Sequence, residues 1–139
     1  MSLVALGLDL VDVARARRLL ERYGDHALSR LLTEGERRDL ALRTDPAPGF
    51  AARLAAKEAA WKALQTLPGA RAVAWRDLEV LRSPDGRPIL RAHGRARLLM
   101  QASPDLVLHL SVTHSATAAA AVVALSLGPK TLSIPTWAS

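Results

Sequence analysis

The chain contains no cysteine. A disulfide scaffold, a thiolate zinc centre and a cysteine nucleophile are therefore excluded. Aromatic residues are scarce, at 4%, a poor supply for stacking exposed bases. Lysine is scarce too. Of the 19 basic residues only Lys57, Lys62 and Lys130 are lysine, and the rest are arginine. Long apolar runs are missing: the longest, Ala118 to Leu125, has eight residues, whereas a spanning helix needs about 20. No basic stretch precedes a long apolar core at the N-terminus, so no secretory signal is expected and the expected location is cytoplasmic.

What remains is ample for a folded domain. The chain has 139 residues, of which 50% are hydrophobic and 23% charged. That composition predicts one domain with a real core rather than a disordered chain. The net charge is +6, which implies attraction to a polyanion: nucleic acid, a phosphorylated ligand or an acidic protein.

Val4 to Val11 alternates and predicts a strand. Val4, Leu6, Leu8 and Leu10 face one way; Ala5, Gly7, Asp9 and Val11 face the other. Asp12 is placed to cap an Arg-rich amphipathic helix over Val13 to Arg22, ended by Gly24. A second helical stretch surrounds Leu28 to Leu42, with Thr33-Glu-Gly-Glu36 resembling a capping box. A loop follows, then a long alanine-rich helix from Phe50 to Leu64, broken by Pro68-Gly69. Trp75 to Leu81 reads as a strand, Pro84-Asp85-Gly86 as a hairpin turn and Pro88 to Ala92 as the returning strand. Gly94 to Ala102 is a short helix, and Val107 to Thr113 with Ala118 to Leu127 form a last pair of strands. The expected class is α+β, with an antiparallel sheet, a domain over 1–127 and a tail over 128–139.

Asp9 interrupts a small, apolar strand face, where a carboxylate needs a partner or a metal. Backbone amides at the strand end would serve equally. Glu58 and Lys62 are four apart on one helix face, and Arg53 and Lys57 are four apart on an adjacent one. The spacing fits a solvated pair worth about 0.2–0.5 kcal/mol. The alanines around these charges also suit close approach to something bulky. Asp9 and Glu58 with Arg53 and Lys62 would make a site for a hard cation and phosphate. His109, mid-strand, reads as a packed, hydrogen-bonded core residue. His114, beside Thr113 and Ser115, fits a packed residue or a phosphate or ribose contact equally well. Arg15, Arg18 and Arg22 share a helix face, either solvated or docking an acidic helix.

Order and spacing add what single residues do not. Gly7-Leu-Asp9-Leu-Val, Leu31-Leu-Thr-Glu-Gly-Glu36, Phe50-Ala-Ala-Arg53-Leu-Ala-Ala-Lys57-Glu58-Ala-Ala-Trp-Lys62-Ala, Trp75-Arg-Asp-Leu-Glu-Val, Asp85-Gly-Arg-Pro88 and His109-Leu-Ser-Val-Thr-His114 resemble the holo-[acyl-carrier-protein] synthase family. These are short, single-repeat 4'-phosphopantetheinyl transferases, and the resemblance covers residues 3–127. Two departures stand out. Gln65-Thr-Leu-Pro-Gly69 follows Lys62 where the family often has glycine, and Ser115 stands where an acidic residue or threonine is frequent.

The resemblance implies a phosphopantetheinyl transferase-like fold and transfer of the 4'-phosphopantetheine arm of coenzyme A to a serine of apo-acyl carrier protein. Adenosine 3',5'-bisphosphate would be released. It implies that Asp9 and Glu58 hold Mg²⁺ and that Glu58 and Lys62 are catalytic. It further implies that Arg53, Lys62, Gly86, Pro88 and His114 contact coenzyme A, with Trp61 beside the pantetheine path. Arg15, Arg18 and Arg22 would receive the carrier protein. It implies a homotrimer with sites between subunits, the apolar strands Val107 to Val112 and Ala118 to Leu125 being material for the contact. A membrane or nucleic-acid partner is not expected. The alternative is a basic nucleic-acid-binding domain without catalysis, which gives no reason for Asp9 and Glu58 to converge. Carrier domains of polyketide or peptide synthetases would suit the same chemistry.

Overall fold

The computed structural model describes residues 2–128. The alternating N-terminal segment forms β1 (Ser2–Asp12), followed by α1 (Val13–Arg22), α2 (Asp25–Leu31), α3 (Glu34–Ala41) and α4 (Ala47–Leu64). The hairpin β2 (Leu78–Arg82) and β3 (Pro88–Ala92), α5 (Gly94–Gln101), β4 (Leu106–His114) and β5 (Ala118–Leu127) complete the order. The class is α+β, with one three-stranded antiparallel sheet in the order β1-β5-β4 and the separate β2-β3 hairpin. The expected tail lies outside the described residues beyond Gly128.

The core is built by α4 lying across the sheet. Alanine makes this possible. Ala51, Ala55, Ala56, Ala59, Ala60 and Ala63 are fully buried, as are Phe50 and Leu64. Small side chains let the helix backbone approach the strands, and the inward residues of β5 (Ala119, Ala121, Val123, Leu125) match them. A close approach falls at Gly7, where a Cβ would stand 1.8 Å from the Ala59 carbonyl oxygen. The alanine run around Lys57 and Glu58 therefore serves the sheet rather than a bulky ligand.

Four local expectations are corrected. The stretch Leu28 to Leu42 is two helices, because Thr33 is extended and starts α3 through a full capping box. Its Oγ1 accepts from Glu36 N–H at 3.2 Å, and its N–H donates to Glu36 Oε1 at 3.0 Å. Asp12 precedes α1 without a side-chain cap; the Val13 N–H instead donates to the Thr117 carbonyl at 2.9 Å. Helix α4 begins at Ala47, with Pro48 in its first turn, where a missing N–H costs nothing. Trp75–Asp77 is a short 3₁₀ turn and the strand starts only at Leu78.

Candidate functional site

Because strand side chains alternate, Gly7, Asp9 and Val11 all point at α4. Gly7 meets Ala59, so Asp9 two residues on arrives beside Glu58. Lys62, one turn along α4, donates from Nζ to Asp9 Oδ1 at 3.1 Å and to the Leu8 carbonyl at 3.0 Å. The lysine is thus tied to β1, and among the described residues it makes no ion pair with Glu58 along its own helix. Trp61 is exposed beside it.

The two carboxyl groups perturb each other in opposite directions. Burial, and then the hydrogen bond and charge of Asp9, push the Glu58 carboxyl up to about 7, against the pull of Arg15 and Lys62. Burial pushes the Asp9 carboxyl up, but its bond to Glu58 and the Lys62 ammonium outweigh this and hold it below its ordinary value. With both groups ionised no proton lies between them, and Asp9 Oδ2 has no hydrogen-bond partner among the described residues. A proton on Glu58 or a cation completes the pair. Among the described residues no third His, Asp or Glu joins them. Two carboxylate donors suit Mg²⁺, which takes one or two carboxylates and completes its shell with phosphate oxygens and water.

A cavity of about 270 Å³ opens near the N-terminal half of α4. Arg53, Pro88 and His114, apart in sequence, line it together, with Gly49, Ala52 and Val112. Arg43 and Arg82 also line it; sequence reasoning named neither. Gly86 is not on this wall. It forms the hairpin turn at φ 89°, where its N–H donates to the Ser83 carbonyl at 2.8 Å. Arg53 is buried and already committed: it donates to Asp39 and, at 3.3 Å, to the Gly49 carbonyl.

Behind Glu58 lies an ion pair that sequence reasoning missed. Lys57 and Glu36 are fully buried, 2.5 Å apart. Lys57 Nζ also donates to the carbonyls of Leu31 at 2.8 Å and Trp75 at 3.1 Å. Glu36 Oε2 accepts from Val80 N–H at 3.1 Å. Burial lowers the Lys57 ammonium, and Glu36 only partly offsets this. The pair ties α3 and β2 to α4 one residue before Glu58.

On α1, Arg15, Arg18 and Arg22 line one open groove with Leu19 and Glu21. Arg15 also acts on the Glu58 carboxyl. Arg17 points elsewhere, in a two-point pair with Asp45 at 2.9 and 3.0 Å. His109 is hydrogen-bonded as expected, to Ser126 Oγ at 2.7 Å, but is half-buried rather than in the core.

Residues 5–123 match the model of the 4'-phosphopantetheinyl transferase superfamily. The chain is 47% identical over 124 residues to a holo-[acyl-carrier-protein] synthase of Alkalilimnicola ehrlichii, covering 88% of this chain and 96% of the relative. Among solved structures, the holo-(acyl-carrier-protein) synthase of Bacillus anthracis in complex with CoA (3',5'-ADP) superposes with a TM-score of 0.74 at 30% identity, over 92% of this chain and 100% of that one. The Helicobacter pylori holo-[acyl-carrier-protein] synthase in complex with coenzyme A gives 0.72 at 28% identity, over 87% of this chain and 99% of that one. By the extent of these matches, the chain belongs to the holo-[acyl-carrier-protein] synthase family of the 4'-phosphopantetheinyl transferase superfamily.

Proposed function

We propose that the chain transfers the 4'-phosphopantetheine arm of coenzyme A to a serine hydroxyl of an apo-acyl carrier protein and releases adenosine 3',5'-bisphosphate. The observation that carries this reading is the convergence of Asp9, Glu58 and Lys62 from β1 and α4, in a chain whose structural relatives hold coenzyme A. The serine Oγ attacks the phosphorus that bears the pantetheine. An Oγ–P bond forms, the P–O bond to the adenosine 5'-phosphate breaks, and the serine proton is taken up. Glu58 is the carboxylate placed to take it, directly or through a water, beside Asp9 and Lys62. Lys62, half-exposed, offsets the charge that grows on the departing phosphate. Mg²⁺ bound to Asp9 and Glu58 would supply charge neutralisation at the pyrophosphate.

Arg53, Pro88 and His114 bind coenzyme A through the cavity they line. Gly86 shapes the hairpin turn that presents Pro88. Arg15, Arg18 and Arg22 receive the acidic carrier protein; their shared groove along α1, where Arg15 acts on the Glu58 carboxyl, supports this. The working form is a homotrimer with sites between subunits. What supports it is an apolar row on the sheet face away from α4. Leu6, Leu8 and Leu10 are 61%, 64% and 64% exposed, and Val122 lies opposite Leu8. This surface lies on β1 more than on the β4 and β5 strands first expected to form it.

Among the described residues no helix is long and apolar enough to cross a membrane. Incubation with apo-acyl carrier protein, coenzyme A and Mg²⁺, read by mass spectrometry, tests the activity. The expected result is a gain of one phosphopantetheine arm. An unmodified carrier, with salt-sensitive binding to generic DNA or RNA instead, would favour the nucleic-acid reading.

A further inference from the structure

The cavity on α4 presents several cations, with one half-exposed anion beside them. Arg43, Arg53, Arg82 and His114 line it; Asp39 does not. Yet Asp39 Oδ2 accepts from both Arg53 Nη2 and Arg43 Nη2, the latter at 3.4 Å. Burial pushes the Asp39 carboxyl up, but Arg53 and then Arg43 overcome this and hold it below its ordinary value. Two guanidinium groups repel at such range, and Arg53 is 8% exposed by side chain. A buried charge is tolerable only when paired. Arg43, 34% exposed, would otherwise extend into water. Asp39 gathers both groups on one wall from behind. The three carry a net +1, and Arg82 adds another positive charge to the same cavity.

We propose that Asp39 is a positioning residue that holds Arg43 and Arg53 as a two-arginine clamp for a phosphomonoester dianion. Under the function proposed above, on which this rests, the dianion is the 3'-phosphate of coenzyme A. The cavity lies one to two turns of α4 from Glu58, at 1.5 Å per residue. A ligand whose pyrophosphate sits at Asp9 and Glu58 thus has its other phosphate to place, and this cavity is where Arg43, Arg53, Arg82 and His114 gather. Planar guanidinium forks suit a phosphate, but only if their planes are fixed. Asp39 fixes them without touching the ligand.

The idea has a sign that simple electrostatics reverses. If Asp39 only repels the ligand, removing its charge tightens binding. If it positions the arginines, removal weakens it. The experiment is calorimetric binding of adenosine 3',5'-bisphosphate and of adenosine 5'-monophosphate to the full chain and to Asp39→Asn and Asp39→Glu. Asp39→Asn is expected to weaken the bisphosphate about tenfold and the monophosphate less than twofold, with Asp39→Glu recovering most of the loss. With Arg43→Gln already present, Asp39→Asn should cost less than it does in the unaltered chain, because only the part that runs through Arg53 is left to lose. This coupling keeps the test sharp if Asp39→Asn is also less stable. Tighter bisphosphate binding by Asp39→Asn, equal weakening of both nucleotides, or additive losses in the double variant would overturn the proposal. Failure of the unaltered protein to bind either nucleotide would instead count against the transferase reading.

Discussion

Lys62 Nζ stands 3.1 Å from Asp9 Oδ1, so the ammonium group of α4 is tethered across to β1. It is half-exposed and pre-oriented beside two carboxyl groups. A cation held there acts where charge develops, and its removal should appear in turnover rather than in binding. Lys62→Ala is expected to lower kcat by about hundredfold, the usual scale for one lost electrostatic contact in a site. The KM for coenzyme A should stay within about threefold. Steady-state kinetics checks this; an unchanged kcat with a raised KM would make Lys62 a binding residue only.

Gly7 is where the helix backbone meets the sheet. A Cβ there would lie 1.8 Å from the Ala59 carbonyl oxygen, so α4 must shift away from β1. Gly7→Ala should cost about 3 kcal/mol of stability and separate Asp9 from Glu58. Urea unfolding would show the loss, and transfer activity should fall even at temperatures where the variant stays folded. Wild-type stability would contradict the close packing.

Much of this site was legible from the chain. The alternation of β1 put Gly7 and Asp9 on one face, and the helical spacing put Glu58 and Lys62 on another. What periodicity could not give was how the faces meet. Lys57 has the same spacing from Arg53 that Lys62 has from Glu58. Yet Lys57 is fully buried against Glu36, 21 residues away in sequence, and only packing decides that. The Thr33 capping box was visible, but not that it cuts the helix at Leu32, because the apolar pattern continues across the break. Asp39 and Arg43 are four apart, a spacing as ordinary as any surface pair, and Arg82 carried no signal; only tertiary structure brings Arg43 and Arg82 to one cavity wall with Arg53, and Asp39 against Arg53.

The raised Glu58 carboxyl has a consequence for stability. Its value rises to about 7 from 4.5 on folding. The folded state then holds a proton more tightly than the unfolded chain does. This contribution is full below the unfolded value and is lost as pH rises through the folded one. Without metal, the Tm should therefore fall from about pH 4.5 to 7. The Glu58→Gln variant should lack that part of the slope. Asp9 works in the opposite direction, but below its ordinary value of 3.8. Melts in chelator across this range check the point; parallel wild-type and variant profiles would contradict it.

Arg15, Arg18 and Arg22 share a groove, while Arg17 is occupied by Asp45. Rim charges act mainly on encounter and orientation. Arg15→Glu, or Arg18→Glu with Arg22→Glu, should raise the KM for carrier protein by about tenfold, or about 1.4 kcal/mol. The effect should shrink at high salt. Kinetics with each substrate varied in turn would reveal a docking surface elsewhere if carrier-protein KM is untouched.

Everything proposed for the chemistry passes through the meeting of Asp9 and Glu58. The most direct test is the rate of arm transfer by Glu58→Gln at saturating coenzyme A and ordinary magnesium, read by mass spectrometry of the carrier. The substitution keeps shape and removes the group that takes the proton. The predicted result is a rate at least about hundredfold below wild type, in a protein that still folds. Transfer at a near-normal rate would contradict the assignment of this pair as the catalytic centre.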